Sequence, residues 1–388
     1  MRVYAARWIV PVAGSPVPHG AVAVDEAGRI AYAGPRAGAP PGGVTDLGDA
    51  ALLPGLVDAN ARPTPAAVRA GLAAGVTTFA AVATSAASFG AVDALCASGA
   101  RGVVYQALSG PDPGERAAAF AELRARVDRL RAHVQAASHA GRVRVGVSPS
   151  AVHAVHEELL LDTCAWAVGE SLPLAIPAGE SADEIAFLRE AAGPFADALR
   201  ARGLAVVRRA HSTVHLLAEL GIAAVARPLL VYATHFDESD VALAAHYDCP
   251  VAHCPAHDAA EGHVAPVRAL LDAGVRVGLG TASAARDGHP DVLGAARALP
   301  GPLAAAEVLH LATLGSARAL GLDREIGSLE VGKQADFCAY ALGDPEADPV
   351  AALIAASAGR PALLTVAQGR ELARDGRVLP LSPASRDA

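Results

Sequence analysis

The side chains best suited to metal or proton chemistry in this chain are its 14 histidines, several of which fall in pairs. "HSTVH" puts His211 and His215 four residues apart, which is one face of a helix. "HCPAH" carries His253 and His257, "VHAVH" carries His153 and His156, and His235 stands alone in "YATHFDESD". Neutral imidazoles ligate transition metals, but these pairs lack the carboxylate that often completes such a site. They therefore read as core or surface side chains, with His211 and His215 on an outer helix. A different kind of site is suggested by "LLPGLVDANARPT", a buried apolar run that ends in a polar tip carrying Asn60 and Arg62. Two acidic stretches have simpler readings. "ARDGHPD", with Asp287 and Asp291, is a polar loop; "DESD", Asp237 to Asp240, is a helix start where carboxylates suit the positive end of the dipole. Lys333, in the turn "EVGKQAD", is the only lysine. Schiff-base chemistry needs a lysine desolvated in a pocket, and the middle of the chain has none. A metal pair bridged by a modified lysine is excluded on the same count.

As for the elements that must hold these residues, 388 residues suit one large domain plus a smaller one. At 52% hydrophobic and 19% charged, the chain can bury a large core. No apolar run reaches the roughly 18 residues of a membrane span. The opening "MRVYAARWIVPVAGSP" is assigned to a first strand rather than a signal peptide. A net charge of −8 without a Lys/Arg cluster argues against nucleic acid and against an anionic membrane as partners. A small-molecule ligand is the partner that remains, and a homodimer is compatible with it. Five scattered cysteines form neither a disulfide framework nor a C-x-x-C zinc site, which fits a reducing cytoplasm.

Both ends of the chain are short-stranded and punctuated by glycine. Residues 1–53 and 326–378 are assigned to one composite β-sandwich, and 379–388 to a flexible tail. Residues 54–325 differ. Apolar runs recur at "LLPGLVDAN", "GVTTFAAVA", "GVVYQAL", "VRVGVSPS", "LPLAIPAGE", "LLVYATH", "CPVAHCP" and "VRVGLGTAS". Ala-rich helices such as "ERAAAFAELRARVDRLRAHVQAA" and "ADEIAFLREAAGPFADALRARG" lie between them. Apolar strands alternating with helices predict a parallel sheet covered on both faces, and eight such units predict an α/β fold of the (β/α)8 TIM-barrel kind. An open doubly wound sheet is disfavoured because no G-x-G-x-x-G turn follows the first strand. In such barrels the chemistry sits at the C-terminal ends of the strands.

In order and spacing these segments resemble the amidohydrolase superfamily, within it the deaminase and chlorohydrolase branch, with imidazolonepropionase as a cousin. "ALLPGLVDAN", "AAGVTTFAAV", "VGVSPSAVHAV", "LPLAIPAGES", "LLVYATHFDESDVALAAHYDCPVAHCPAHD", "VRVGLGTAS" and "IGSLEVGKQADFCAYAL" carry the likeness over nearly the whole chain. The resemblance implies a mononuclear zinc or iron held by two histidines of strand one, one of strand five and an aspartate of strand eight. It also implies a histidine ending strand six beside the bound water and a proton-shuttling glutamate after strand five. Such a metal lowers the pKa of its water towards neutrality. In this sequence the strand-one pair becomes Asn60 and Arg62, the strand-five histidine Pro177, the strand-six histidine Tyr232 and the strand-eight aspartate Ala282. Glu180 keeps the glutamate position, and His253 and Cys254 match a mostly structural "HCP". Proline and alanine side chains have no lone pair, and an arginine cannot donate one. The expectation is that the inherited metal site is absent and no metal cofactor is used.

Two ways of rebuilding a site stay open. One is a displaced metal drawn from His153, His235, His257 and Glu180. The other needs no metal: Arg62 supplies a fixed positive charge, Tyr232 a proton or hydrogen bond, and Glu180 acid/base function, while Asn60, His153, His235 and His253 contact a ligand. Against the second, Arg62 could simply pair with Glu180 or Asp58. The functional alternatives are thus a metal-independent relative of hydrolases of non-peptide C–N bonds in small heterocycles, or a catalytically inactive homologue that binds a small molecule or partners an active relative.

Overall fold

The computed structural model describes residues 1–137, 141–282, 291–299, 301, 303–343, 348–357 and 359–380. Asp287 and most of the C-terminal tail, 381–388, lie outside the described residues. The strands run in chain order as β1 (Arg2–Ile9), β2 (Val17–Val24), β3 (Ile30–Pro35), β4 (Gly43–Asp46) and β5 (Ala50–Pro54), then β6 (Leu56–Asp58), β7 (Val76–Ala83), β8 (Arg101–Leu108), β9 (Val143–Pro149), β10 (Ala175–Ala178), β11 (Leu229–Tyr232), β12 (Val251–His253) and β13 (Val277–Leu279), and last β14 (Phe337–Ala341), β15 (Leu364–Ala367), β16 (Arg370–Arg374) and β17 (Arg377–Val378). The chain folds into two compact units. The first is Met1–Phe79, Ala94–Arg101 and Gly278–Ala388; the second is Ala80–Asp93 and Gly102–Val277.

In the first unit, the two ends of the chain meet in one sheet of order β17-β16-β15-β14-β5-β1-β2-β3, with β4 on β1. The join is β5 against β14, antiparallel, with Leu53 opposite Cys338. The expected sandwich is therefore one continuous sheet. Ile30 of β3 and Leu364 of β15 share a core with Tyr4, Leu52 and Phe337. Five strand spacings would put them roughly 24 Å apart on a flat sheet, so the sheet must curl over that core. The segment before β14 closes the curl: Ile30 N donates to Lys333 O and Ala335 N to Gly28 O, each at 2.9 Å.

The eight central strands form two parallel quartets, β6 to β9 and β10 to β13. Within the second unit, the seam between quartets is bridged at Val147 and Leu174. Within the first, Ala59 N donates to Leu279 O at 2.7 Å and so joins β13 back to β6. The order is that of a (β/α)8 barrel. All eight expected strands are present because each is a buried apolar run, such as VTTFAAVA in β7. "LLPGLVDAN" is two strands rather than one: β5 belongs to the end-built sheet and β6 to the barrel, with Gly55 alone between them. A Cβ on Gly55 would collide with the Thr77 side chain. The helix Arg116–Ala136 buries Leu123, Val127, Leu130 and Val134, a 3–4 spaced stripe. The long helix expected over "ADEIAFLREAAGPFADALRARG" is two, Ala182–Glu190 and Pro194–Ala201. Ala191 is left-handed at φ 55°, Gly193 at φ 85°, and Pro194 starts the second helix. Proline cannot supply the N–H that a continuous helix would need there.

Candidate functional site

The first unit carries positions 58, 60, 62, 281 and 282. Asp58 ends β6 and is fully buried. Its Oδ1 accepts from Thr281 N at 3.0 Å and Asn60 N at 3.2 Å, and its Oδ2 from the Thr281 hydroxyl at 2.6 Å. Ala282 N donates to Asn60 O at 2.8 Å. This clamp fixes the tip of β6 against the turn after β13. Burial pushes the Asp58 carboxyl up to about 6, opposed by the three donors. Asn60 is 7% exposed, whereas Arg62 is solvent-exposed and in no ion pair with a described residue of this unit. Pairing of Arg62 with Asp58 is thus not what the structure has; that carboxylate is committed to Thr281 and Asn60. Ala282, at φ 49°, presents a methyl group.

The second unit carries the remaining positions at the ends of β9 to β12. Pro177 sits within β10, opposite Val231. The turn after β10 is held by Glu184, whose buried carboxylate accepts from Gly179 N and Glu180 N, each at 2.9 Å, and from the Thr213 hydroxyl. Burial raises the Glu184 pKa against those donors. Glu180 is half-buried, and its carbonyl accepts from His257 Nε2 at 2.8 Å. The His257 ring lies 4.6 Å from the Tyr232 ring. Tyr232 and Ala233 are consecutive left-handed residues, φ 86° and 61°, a rare conformation for a bulky side chain. It is fixed by His253 Nδ1 donating to Tyr232 O at 3.0 Å and by Ala233 N donating to Ala178 O at 3.0 Å. Glu180, Tyr232, His253 and His257 thus form one connected group.

His253 is fully buried. Its Nε2 lies 3.4 Å from Asp258 Oδ2 without a hydrogen bond, and Asp258 also accepts from Thr234 and Ala265 N. Burial pushes the His253 pKa down, and Asp258 opposes that shift. Its hydrogen bond runs to backbone rather than into a cavity. His153 stacks on Phe195 with ring centroids 3.7 Å apart and meets Phe187 edge-on, within a cluster that includes Leu188 and Leu216. Burial pushes it down to about 4. His235 stacks on His263 at 4.4 Å, with Glu261 at 3.8 Å. The pair His211 and His215 does not share a helical face, because Ser212 caps the helix Thr213–Glu219 and His211 precedes it. His211 pairs with Asp237 at 2.6 Å and His215 with Asp240 at 3.3 Å. Asp237 and Asp240 form the capping box of the helix Glu238–His246. Among the described residues no three His, Cys, Asp or Glu side chains are grouped as a metal ion requires. Glu184 is absent from the residues expected at the site, although Ser181-x-x-Glu184 is a capping signature that marks it.

The chain belongs to the amidohydrolase family, whose model matches residues 63–372. It is a TIM-barrel protein with a β-rich layer from both chain ends, related to deaminase-like hydrolases of small heterocycles. A 5-methylthioadenosine/S-adenosylhomocysteine deaminase of Moorella thermoacetica is 26% identical over 433 residues, 95% of this chain and 93% of the relative. One from Halobacterium salinarum is 31% identical over 265 residues, 63% of this chain and 56% of the relative. Among solved structures, an adenosine deaminase from Xanthomonas campestris with bound zinc superposes with TM-score 0.80 at 22% identity, over 98% of this chain and 94% of that one. Helicobacter pylori aminofutalosine deaminase gives 0.82 at 15%, over 96% and 100%. At these identities the structural likeness speaks for the fold alone. No helix among the described residues is long and apolar enough to cross a membrane.

Proposed function

We propose that this chain binds a small polar nitrogen heterocycle, of the nucleoside kind its relatives are named for, and does not hydrolyse it through a metal-bound hydroxide. The observation that carries the reading is the chemistry at the positions where the family resemblance implies metal ligands. Pro177 and Ala282 have no side-chain lone pair to give, and Arg62 is a permanent cation. Asn60 is a neutral, weak donor whose backbone is tied into the Asp58 clamp. These residues do not fit a divalent ion. Losing even the partners behind metal ligands costs about 10–100-fold in affinity or activity, and here the ligands themselves are replaced. The group left at the strand ends, Glu180, Tyr232 and His257, offers hydrogen bonds and ring faces, which suit a heterocycle.

A second reading, hydrolysis without a metal, is favoured by one observation: Tyr232 is held at φ 86° and the Glu180 turn by a buried carboxylate, and such outlay of strain and burial collects at working sites. In it Glu180 exchanges protons and Tyr232 donates a hydrogen bond. The five free, buried cysteines support a reducing, cytoplasmic setting.

The test is elemental analysis of protein produced with zinc and iron supplied, together with calorimetry and ammonia release on adenosine, 5-methylthioadenosine, S-adenosylhomocysteine and guanine. The expected result is saturable binding, far less than one metal per chain and no ammonia. One tightly held zinc or iron per chain with ammonia release overturns the proposal. Metal-free ammonia release, lost in Glu180→Gln, selects the second reading.

A further inference from the structure

We propose that the second unit associates with a second copy of this chain through the outer face of the helix Glu157–Gly169, packed antiparallel on its counterpart about a two-fold axis. A helix on the outside of a barrel ordinarily turns a charged side to water. This one does not. Leu159, Leu160, Thr163, Cys164 and Ala167 are its buried residues, and Leu161, Ala165 and Val168 are exposed on the opposite side, Leu161 at 37% and Val168 at 42%. At about 100° per residue these last three lie within about 60° of arc. Between Glu158 and Glu170 the one charged residue is Asp162, and both its oxygens are taken by Arg116, at 2.7 and 2.9 Å. Val225, 70% exposed, continues the apolar face onto the helix Ile222–Ala226, which packs alongside. On the other flank Trp166 meets Phe120 of the helix Arg116–Ala136 edge-on, with ring centroids 5.9 Å apart, and the Arg124 guanidinium lies 5.9 Å from both rings. Trp and Arg are the residue types that carry much of the binding energy at protein interfaces. A helix apolar on both sides is one that something covers.

Three features fit this face to a second copy. The stripe is self-complementary. With Ala165 on the axis, antiparallel pairing sets Ala165 against Ala165 of the partner subunit and Leu161 against Val168 of the partner subunit. Two large side chains then flank a small one, which lets the helices approach closely. The charges match in the same sense. At the start of the helix three carboxylates, Glu157, Glu158 and Asp162, share two guanidiniums, Arg209 and Arg116. At its end Arg131 pairs with Glu170, while Arg227 and Arg276 share Asp248, so three guanidiniums meet two carboxylates. Leu229 N donates to Leu174 O at 2.9 Å, which places Arg227 beside that end. Antiparallel packing brings the acidic end of each helix to the basic end of the other, twice over. The area is also of the right order. The helix is about 20 Å long. With a neighbour about 10 Å away on each side, the three offer about 600 Å² in projection and more as accessible surface, against about 800 Å² per partner in a standard interface. Neither Glu180 nor Tyr232 takes part, so this association stands independently of the heterocycle reading.

The experiment is sedimentation velocity of the full chain from about 1 to about 100 μM, where a reversible dimer with a micromolar dissociation constant is expected. Ala165→Glu sets two carboxylates face to face on the axis and should weaken the dimer about a hundredfold or more, with an unchanged circular dichroism spectrum. Val331→Glu, at a valine 67% exposed elsewhere, should leave the dimer as it is. The second arm is Ala165→Cys oxidised with copper–phenanthroline. The five native cysteines are buried, and a residue on a two-fold axis meets its own copy, so a covalent dimer on a non-reducing gel is expected. A monomer throughout the concentration range, which would leave the face to a different protein, overturns the proposal. So does a dimer whose affinity Ala165→Glu leaves within about twofold, or one that Ala165→Cys fails to cross-link.

Discussion

Replacing Asp58 by Asn should change how stability depends on pH, with a sign fixed by the structure. Asp58 is fully buried, and its carboxyl is pushed up from 3.8 to about 6 by loss of solvent. An acid with a raised folded pKa binds its proton more tightly in the native state than in the unfolded one. Its contribution is fully present below about pH 4 and is lost as pH rises through about 6. The rise from 3.8 to about 6 corresponds to about 3 kcal/mol. Asparagine has the same shape. Its oxygen can keep the two backbone donors, Thr281 N and Asn60 N, and its NH2 can face the Thr281 hydroxyl, which then accepts instead of donating. Urea unfolding of both proteins at a series of pH values gives the difference in stability directly. The wild type minus variant difference should fall by about 3 kcal/mol from about pH 4 to pH 6 and stay flat above. A difference that does not move across that window, or that rises, refutes the account of the clamp.

His153→Phe tests the opposite sign. Burial holds His153 down near 4, so its contribution is present above about pH 6.5 and lost as pH falls towards 4; the variant keeps the stack on Phe195 and should gain about 2–3 kcal/mol over wild type at the acid end while matching it at pH 7.5, by the same unfolding assay. Glu184→Ala strands the N–H groups of Gly179 and Glu180 and should cost about 3 kcal/mol, with early hydrogen exchange at both amides; unchanged exchange there would count against its role. Gly55→Ala should cost about 1–3 kcal/mol through collision with Thr77, and adding Thr77→Ala should recover part of it; strictly additive losses would refute the collision.

The sequence displays its barrel strands openly because a strand covered on both faces must be apolar along its length, as AIPA in β10 and LLVY in β11 are. It hides the joint at Gly55 because β5 and β6 are both fully buried, and apolarity does not say which layer buries a residue. The helix break at Ala191 to Pro194 is marked by a Gly-Pro pair, but the alanine content around it points the other way. At the candidate site, residue types tell what could ligate a metal, but not where rings pack. His153 looks like a ligand in "VHAVH" and instead stacks on Phe195 and meets Phe187 edge-on, both from helices that follow β10. The His257 bond to Glu180 spans 77 residues and the Arg126 bond to Gln106 spans 20. Neither distance has a local pattern, so only the fold reveals them.

The join of β5 to β14 has a consequence for how the chain is made. Leu53 waits for Cys338, 285 residues later. At a synthesis rate of about 5–20 residues per second, that gap lasts roughly 15–60 s. For that time the nascent β5 edge, apolar along its length, emerges from the ribosome with its backbone groups unmatched on one side. A chaperone, or the early growth of the barrel beside it, has to shield that edge from other polypeptides until the last strands are translated.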